Sequence, residues 1–269
     1  MHRPLVSSLL GTEPTLAEVE PKVTLVRHTP QPAEAIAAAA RLCYAEDTSD
    51  LLAQNGKDAG RFVRRLLSMG HLSPIEHASF TFYVEGVSRA MTHQLVRHRL
   101  ASYSQRSQRY VSHDSFDYVV PPSLAGKTIE TDEGEADAAE YYRQAMAEIA
   151  HRYAVLNDCL GRLGEASNED ARYVLPNACE TKIFVTMNAR ELLHFFAERL
   201  CMRAQWEIRR AAELMLNLSR TACPTVFEGA GPKCVRLGRC PEGSLSCGRY
   251  EEMRKLYAAG GAAKPRTAG

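Results

Sequence analysis

The pattern of apolar and polar residues along the chain predicts several short strands separated by longer helices. Segments that alternate apolar and polar residues, or are rich in β-branched and aromatic residues, are typical of strands. The predicted strands are 22–28, 80–87, 116–123 and 181–188. Segments with the apolar spacing of helices, several of them closed by glycine or proline, are 32–44, 60–70, 89–99, about 135–163 and 189–223. This order of elements predicts an α+β fold.

Local signals mark where two of these helices begin. Ser88 is a suitable N-cap for the helix 89–99, because a serine hydroxyl can accept a hydrogen bond from a free backbone amide. Acidic residues stand near the start of the helix 135–163, where they favour the helix dipole. The helix that ends at Arg99 leads into a polar stretch, which we predict to be a loop.

Length and composition are those of an ordinary globular domain. The chain has 269 residues, of which 45% are hydrophobic and 24% charged, and no internal repeat or linker divides it. One domain is therefore the simplest prediction. The net charge is only +1, so a protein that binds polyanions over its whole surface is disfavoured and any anion site must be local.

Targeting signals are weak. The N-terminal sequence MHRPLVSSLLGTEP has a single arginine and a short apolar stretch, which makes a poor secretory signal. No apolar run approaches the ~18 residues that a membrane span needs. We therefore expect a cytoplasmic protein without a membrane partner.

Eight cysteines allow more than one interpretation. The first four, Cys43, Cys159, Cys179 and Cys201, are scattered among the apparent helices and strands, which suits reduced and buried thiols. The other four are Cys223, Cys234, Cys240 and Cys247. Their spacing is wide and lacks a C-x-x-C pair, so free thiols, a disulfide and, as the minority interpretation, a zinc site remain open. We assign no metal ligand, and no cysteine stands in a context that predicts a nucleophile.

The stretch RHRLASYSQRSQRY, from Arg97 to Tyr110, combines four arginines with serine and tyrosine hydroxyls and contains no acid. Arginine forks, hydroxyls and loop amides are the usual ligands of a phosphate. Further basic residues follow: Arg172, Arg190, His194 and Arg199. Arg190 and His194 share a helical face and Arg199 falls roughly opposite, so this helix is expected to line two neighbouring pockets. The residues predict a binder of phosphorylated ligands such as nucleotides, whereas a solvated basic loop is the simpler alternative.

Three other motifs are weaker. AGKT at 125–128 lacks the upstream glycine of a phosphate-binding loop, because Pro121 occupies that position. No G-x-G-x-x-G motif supports a Rossmann dinucleotide site. In HLSPIEH, residues 71–77, the two histidines and Glu76 could bind a metal, but hydrogen-bonded turn residues are the more common interpretation.

Six blocks of the sequence, in order, resemble the flavin-dependent thymidylate synthases. The central block has the family pattern R-H-R, seven residues, serine, and then R-Y, matched by Arg97, His98, Arg99, Ser107, Arg109 and Tyr110. The other blocks are GHLSPIEH, FTFYVEG, ARYVLPN, VTMNAREL and RAQWEI. Together they cover most of the chain from Lys22 to about Pro224.

This resemblance implies a fold, a reaction and an assembly. Members have a small, mostly antiparallel sheet with long helices, and they form homotetramers whose active sites lie between subunits. They convert dUMP to dTMP, with 5,10-methylenetetrahydrofolate as the carbon donor, FAD as the hydride carrier and NADPH as its reductant. The chain would then divide into an N-terminal arm (1–21), the family domain (22–228) and a cysteine-containing extension and tail (229–269).

The resemblance also implies roles for individual residues. Arg199 is the expected catalytic residue, facing the N3/O2 edge of the uracil and stabilising the negative charge that develops there. Arg109 and the amides near Ser107 and Gln108 are expected to hold the nucleotide phosphate. The expected dUMP contacts are Gln94, Arg97, Gln105, Ser107, Gln108, Arg109, Arg172 and Arg199. The expected FAD contacts are His71, Ser73, Arg97, His98, Arg99, Gln105, Asn188, Arg190 and His194.

A few positions depart from the family pattern. Ser104 and Gln105 stand where some members have Asn and Glu, and a glutamine can still hydrogen-bond the nucleotide but cannot act as a base. His194 stands where other members carry Asn. Ser107 has no neighbouring base that would activate its hydroxyl, so we interpret it as a nucleotide ligand and not as a nucleophile.

A nucleic-acid-binding module is the alternative explanation of the basic stretch. Its affinity would depend strongly on salt. The near-zero net charge weakens this alternative, as does the lack of a stacking array beyond Tyr103 and Tyr110, so we expect no nucleic-acid partner.

Overall fold

The structure is a computed structural model that describes residues 16–46, 48, 58–132 and 134–257. Within these residues the chain forms two compact units. The smaller unit comprises residues 16–19 and 107–180, and the larger unit comprises 20–106 and 181–257. Most of the smaller unit is inserted between two parts of the larger one along the chain. The sequence therefore shows no single linker that separates the two units.

The three predicted segments of the chain do not follow this division. The boundaries 1–21, 22–228 and 229–269 stay predictions. Residues 1–15 of the predicted arm and 258–269 of the predicted tail lie outside the described residues.

The strands form a four-stranded sheet and a two-stranded hairpin. They are β1 (Lys22–His28), β2 (Ser79–Ser88), β3 (Ala101–Gln105), β4 (Thr128–Thr131), β5 (Gly134–Asp137) and β6 (Glu180–Asn188). In the larger sheet the order is β1-β2-β6-β3, with β1 antiparallel to β2 and β3 antiparallel to β6. The hairpin consists of β4 and β5. A small sheet combined with helices confirms the predicted fold class.

The helices are α1 (Pro32–Leu42), α2 (Ala59–Ser68), α3 (Arg89–Leu95), α4 (Ala138–Cys159), α5 (Glu165–Ala171), α6 (Ala189–Arg199), α7 (Trp206–Ala222), α8 (Pro224–Phe227), α9 (Lys233–Leu237) and α10 (Tyr250–Leu256). Helices α4 and α5 belong to the smaller unit and the others to the larger. Among the described residues, none of the helices combines the length and the apolar character of a membrane span.

The core of the larger unit joins its sheet to its helices. Phe80, Phe82 and Val84 are fully buried at alternate positions of β2, because successive side chains of a strand point to opposite faces. Phe195 and Phe196 of α6 are buried in the same apolar cluster. Each such side chain contributes about 1.5–3 kcal/mol by leaving water, so α6 is firmly held by the core.

A buried carboxylate fixes the start of α3 to α7. Ser88 is the N-cap of α3, as predicted, and its hydroxyl accepts a hydrogen bond from the Met91 amide at 3.0 Å. Both carboxylate oxygens of Glu207 accept from Ser88, one from its amide and one from its hydroxyl, each at 2.6 Å. Burial raises the pKa of Glu207 although these hydrogen bonds oppose the shift. The helix that leads into the basic stretch is therefore anchored at its first residue.

The smaller unit has an apolar cluster of its own. Its buried members are Phe116, Tyr118, Met146, Ala150 and Cys179. Asp137 caps α4 by accepting a hydrogen bond from the Glu140 amide at 2.8 Å. Packing of α4 on this cluster supports the segment 107–117, which contains the second half of the basic stretch.

Three of the four predicted strands are confirmed as β1, β2 and β6. The segment 116–123 makes only isolated bridges through Tyr118, to Glu18 and Cys179. Two prolines follow at 121 and 122, and proline cannot donate to a sheet ladder, so the pairing does not extend.

The loop predicted after Arg99 is partly wrong. The helix ends at Leu95, and residues 101–105 form β3. Ala101, Tyr103 and Gln105 are half-buried at alternate positions, and the serines between them are exposed. The polar composition of this segment predicts a loop, but its pairing with β6 makes it a strand.

Two further predicted helices are wrong in extent. The segment 189–223 is divided into α6 and α7, because Gln205 accepts hydrogen bonds from the Glu207 and Ile208 amides and so starts a new helix. The helix predicted to begin near Glu135 begins at Ala138, since residues 134–137 pair in the hairpin instead. That helix also ends at Cys159, short of the predicted Leu163.

The four cysteines that were expected to be buried differ in their exposure. Cys179 is buried, but Cys43 and Cys159 are exposed at the ends of their helices, so the expectation is wrong for these two. Cys201 is half-buried. All eight cysteines are free in the structure.

Gly86 provides a test of the close packing at the end of β2. Its φ is +66°, and an added Cβ would lie 2.0 Å from the Glu20 carbonyl oxygen. Gly86→Ala should lower the free energy of unfolding by about 3 kcal/mol or more, measured by urea denaturation. Gly70→Ala is the matched control, because Gly70 has φ +76° but nothing within 4 Å of the added carbon. Gly70→Ala should lower the free energy of unfolding by only about 1 kcal/mol. Equal losses in the two variants would contradict the close approach of residue 86 to the Glu20 carbonyl oxygen.

Candidate active site

A cleft of about 790 Å³ opens in the larger unit between α6 and the residues that follow α3. Its volume lies within the range of small-molecule sites. Its walls are formed by Glu76, Arg97, His98, Arg99, Leu100, Asn188, Arg190, Glu191, His194, Glu198 and Arg199. Two polar segments that are far apart in the sequence therefore meet at this cleft.

Helix α6 supplies one wall. Asn188 caps it by accepting a hydrogen bond from the Glu191 amide at 2.9 Å. Arg190 and His194 share a face, as their spacing predicts, and Arg199 joins them in the same cleft from the last residue of the helix. The helix also lines a second cavity, to which Glu198 and Arg199 contribute, so the two expected pockets are present. The expectation that Arg199 faces away from Arg190 and His194 is wrong.

His98 joins the two walls of the cleft. Its buried ring lies with Nδ1 3.2 Å from Glu191 Oε1 and with Nε2 3.0 Å from Arg199 Nε. An arginine N–H can only donate, so Nε2 must accept, and the proton of the ring then lies on Nδ1 and is donated to Glu191. This arrangement requires a neutral imidazole.

The electrostatics of the cleft favour the same protonation state. Burial, with smaller effects from Arg199 and His194, lowers the pKa of His98 from 6.5 to about 4. Burial also raises the pKa of Glu191, and the nearby His194 lowers it. His98 is therefore a neutral ring at pH 7 that accepts from Arg199.

Tyr103 holds the turn that carries His98. Its hydroxyl lies 2.8 Å from the backbone carbonyl oxygens of both Leu95 and His98. Burial, together with the charge of Glu191, raises the pKa of Tyr103, so it stays protonated and keeps its donor. Tyr103, which the sequence analysis considered for stacking on nucleic-acid bases, instead supports the backbone of this turn.

Positive charge dominates the cleft. Four of its wall residues are arginines, and Arg190 Nη1 donates to Glu76 Oε1 at 2.5 Å. In the part of the chain that the structure describes, no carboxylate pairs with Arg97 or Arg99, which are both exposed. These two side chains can bind an anionic ligand without first breaking an ion pair within that part of the chain.

The second half of the basic stretch is organised within the smaller unit. Ser107 Oγ accepts hydrogen bonds from the amides of Arg109 at 3.1 Å and Tyr110 at 3.4 Å, which shapes a tight turn. Arg109 Nη2 donates to Glu165 Oε1 at 2.6 Å, and its Nε donates to Glu169 Oε2 at 2.9 Å. The basic stretch contains no acid, but α5 provides two.

Arg172 lies close to the same group. Its Nε donates to the Glu169 backbone oxygen at 3.1 Å, while the Glu169 side chain binds Arg109. Gln108 Nε2 lies 3.7 Å from Cys179 Sγ, so its amide faces the apolar cluster of the smaller unit. Ser107, Arg109 and Arg172 thus form a local basic group whose two cations meet at one glutamate.

Several expected site residues are elsewhere in the larger unit. Gln105 Nε2 donates to Thr92 Oγ1 at 3.0 Å and to Thr181 Oγ1 at 3.2 Å, which joins α3 to β6. Gln94 is half-buried in α3, and His71 and Ser73 are exposed beside the turn 74–77. None of these four residues is among the walls of the cleft.

The sequence analysis missed the acidic walls of the cleft and one apolar residue. Glu191 and Glu198 lie in α6 with the predicted Arg190, and Leu100 follows the predicted Arg99. The spacing of Glu191 and His194, three residues apart on one helix, was an available signal. Glu76 was considered as a metal ligand, but its contact with Arg190 supports the simpler interpretation as a hydrogen-bonded turn residue.

One group in the cleft has the composition of a metal site. Ligand atoms of His98, Glu191 and His194 lie within 4.8 Å of one another. Arg199 occupies the remaining nitrogen of His98, and its fixed positive charge opposes a cation at that position. We therefore interpret this group as a hydrogen-bonded support of the cleft.

Comparisons with known proteins give a consistent family. A family model described as thymidylate synthase complementing protein matches residues 24–225. Three relatives named flavin-dependent thymidylate synthase come from Nitratidesulfovibrio vulgaris, Geobacter sulfurreducens and Pyrococcus furiosus. They are 49%, 49% and 41% identical over 246, 240 and 236 residues. These matches cover 87%, 88% and 83% of this chain and 97%, 97% and 91% of the relatives.

A solved structure is similar as well. It is the crystal structure of a UMP/dUMP methylase, PolB from Streptomyces cacaoi, bound with 5-Br dUMP. The TM-score is 0.62 and the sequence identity 25%, over 80% of this chain and 96% of that chain. The likeness extends over nearly the whole of the methylase.

The His98 hydrogen bonds predict a measurable titration. Arg199→Met removes a positive charge beside His98, so the pKa of His98 should rise from about 4 while staying below 6.5, because burial remains. The histidine C–H signals can be followed by NMR as a function of pH. Arg190→Met is the matched control, since Arg190 is not among the groups that shift His98. An unchanged pKa in Arg199→Met, or an equal rise in both variants, would contradict the contact.

Proposed function

The chain belongs to the flavin-dependent thymidylate synthase family, and we propose that it converts dUMP to dTMP with FAD, NADPH and 5,10-methylenetetrahydrofolate. In this reaction the hydrogen on C5 of the uracil is replaced by a methyl group. The carbon comes from the folate, and one hydrogen arrives as hydride. Reduced FAD supplies this hydride when it is bound, and NADPH regenerates the reduced flavin.

The proposal for FAD rests on the cleft of the larger unit. Six of the nine residues expected to contact FAD are among its walls: Arg97, His98, Arg99, Asn188, Arg190 and His194. FAD is a dinucleotide with an anionic pyrophosphate, which arginine forks bind well. Arg97 and Arg99 are exposed toward solvent and suit this role, since neither pairs with a carboxylate in the described part of the chain. His71, Ser73 and Gln105 stay predicted contacts.

Arg199 and His98 would have different roles at the uracil. Arg199 Nε is held by His98 Nε2, so the terminal Nη groups of the guanidinium are directed by a fixed ring. A guanidinium at the N3/O2 edge stabilises the negative charge that develops on the pyrimidine, and fixed donors of this kind act most strongly when they need no reorganisation. We assign Arg199 as the catalytic residue and His98 as the residue that positions it.

The phosphate of dUMP would bind at the basic group of the smaller unit. The turn shaped by Ser107 presents the amides of Arg109 and Tyr110, and Arg109 has three further guanidinium hydrogens beyond its contacts with Glu165 and Glu169. A phosphate dianion can replace these exposed carboxylates, because ion pairs at the surface are weak. Arg172 and Gln108 complete the proposed phosphate contacts, and Gln94, Arg97 and Gln105 stay predicted dUMP contacts.

Assembly into homotetramers with shared sites is part of the proposal. Three large apolar side chains adjoin expected site residues and are strongly exposed: Leu100 at 75%, Tyr110 at 68% and Tyr173 at 85%. In a homotetramer with shared sites, a partner subunit or a ligand would cover these side chains. We also propose a cytoplasmic location, since none of the eight cysteines, all of which the structure describes, forms a disulfide and the co-substrates are cytoplasmic metabolites.

The direct test is dUMP-dependent oxidation of NADPH in the presence of 5,10-methylenetetrahydrofolate, with dTMP measured by chromatography. The purified protein should have a flavin absorption band and should form dTMP only when all three substrates are present. Protein that takes up no FAD, or that binds single-stranded DNA with strongly salt-dependent affinity and forms no dTMP, would favour the nucleic-acid-binding alternative.

Substitution of two residues tests the roles within the reaction. Arg199→Ala should lower kcat by about 10²–10³ while the protein retains flavin, because one charged donor to the reacting ring is removed. Ser107→Ala is the comparison, and it should weaken dUMP binding but keep measurable dTMP formation. Wild-type turnover in Arg199→Ala would contradict its catalytic role, and complete loss of turnover in Ser107→Ala with dUMP still bound would make Ser107 a nucleophile.

A further inference from the structure

A second cavity, of about 210 Å³, lies in the larger unit where the chain beyond α8 packs on the end of α6. Four cysteines are among its walls: Cys201, Cys234, Cys240 and Cys247. They come from separate segments, one just after α6, one in α9, one between α9 and α10, and one shortly before α10. Half of the free thiols of the chain therefore meet at one place.

The thiols are close enough to influence one another. Burial has the largest effect on the pKa of Cys234 and raises it, and the sulfurs of Cys201, Cys240 and Cys247 each raise it further. The other three cysteines thus lie near Cys234, in agreement with their common place in the cavity walls. Cys223, which the sequence grouped with the C-terminal cysteines, is instead buried in the main apolar core, where no other cysteine shifts its pKa.

The cavity that the four thiols line has charged walls as well as apolar ones. Arg199, Arg203 and Lys233 also line the cavity. Lys233 pairs with Glu198 at 2.6 Å and Arg203 pairs with Glu242 at 2.6 Å, which ties the same segments together at the rim. Glu198 and Glu242 line the cavity as well, so the positive charge that remains beside the sulfurs is that of Arg199.

We propose that Cys201, Cys234, Cys240 and Cys247 hold a metal centre through four thiolates. Four cysteine thiolates are the ligand set of structural zinc sites and of iron–sulfur clusters. The cavity shares Glu198 and Arg199 with the cleft described above, but none of the four cysteines is among the walls of that cleft, and the proposal does not depend on the methylation reaction.

The two kinds of centre hold their thiolates at different spacings. Thiolates bound to one zinc ion at about 2.3 Å in a tetrahedron lie under about 4 Å apart. Among the described residues, no three of these sulfurs lie within 4.8 Å of one another. An iron–sulfur cluster places several metal and sulfide atoms between its thiolates and holds them further apart, and the metal content of the protein distinguishes the two kinds of centre.

The consequence of such a centre is structural. It would join the segment from Cys234 to Cys247 to Cys201, which lies two residues after Arg199. The end of α6 and the break before α7 would then be fixed by covalent bonds to metal. The centre would hold in place the helix end that carries Arg199.

The test is the metal content of the full-length protein, purified without oxygen and with a reductant. Inductively coupled plasma mass spectrometry measures zinc and iron, and a colorimetric assay measures acid-labile sulfide. Iron and sulfide in equal amounts would identify a cluster, and about one zinc ion per chain would identify a zinc site; either supports the four-thiolate centre. Protein without stoichiometric metal, even after reconstitution with iron and sulfide or with zinc, would overturn it, as would disulfides among these cysteines.

Cysteine variants locate the centre. Cys234→Ser and Cys240→Ser should lose most of the metal, whereas Cys159→Ser, at an exposed position outside the cavity, should keep all of it. Metal content that is unchanged in Cys234→Ser would overturn the assignment. If the variants do not fold, alkylation of the native wild type gives an independent answer: four additional thiols should react after a chelator removes the metal, and no additional reaction would contradict the proposal.

Discussion

The hydrogen bond between Arg199 and His98 is the contact on which the candidate site depends. It joins the last residue of α6 to the turn after α3, and Glu191 binds the other side of the same ring. The two bonds can coexist only while His98 is neutral, because Nε2 must accept from Arg199, and burial of the ring keeps it neutral. Tyr103 and the Ser88–Glu207 contact hold the backbone on either side, so a buried network places one guanidinium.

The charges of the site are balanced in two different ways. Arg190 and Arg109 have carboxylate partners, Glu76 for the first and Glu165 with Glu169 for the second. Arg97 and Arg99 have none within the described residues. Exposed ion pairs are weak and exchangeable, so an anionic ligand can take over the paired arginines as well as the others. Under the proposed function, the acids hold these two arginines in place until a phosphate binds.

The sequence predicted the elements that repeat a local pattern and the residues that belong to a motif. The strands β1, β2 and β6 and the cap at Ser88 followed from alternation and from the chemistry of helix ends. The strand at residues 101–105 could not be predicted in this way, because it forms only by pairing with β6, which is far away in the sequence. The division of the long helix depended on the side chain of Gln205, a residue without a strong capping signal.

The same limit applies to the site. Arg97, His98, Arg99, Asn188, Arg190, His194 and Arg199 were named from the sequence and meet at one cleft. Gln105 was named as well, but its amide is used to join α3 to β6. Three of the four cysteines of the second cavity were grouped from the sequence, but with Cys223 in the place of Cys201, because Cys201 stood inside a predicted helix more than 30 residues before the others.

The central claim is that the basic stretch serves two ligands, with Arg97–Arg99 for the flavin and Ser107–Arg109 for the nucleotide phosphate. The most direct measurement is the pair of dissociation constants for FAD and dUMP in two variants, determined by flavin fluorescence and by isothermal titration calorimetry. Arg99→Ala should weaken FAD binding by tenfold or more, about 1.4 kcal/mol, and leave dUMP binding within twofold. Arg109→Ala should have the opposite effect. If both variants lost affinity for FAD and for dUMP to the same extent, the assignment of separate ligands to the two halves of the basic stretch would be wrong.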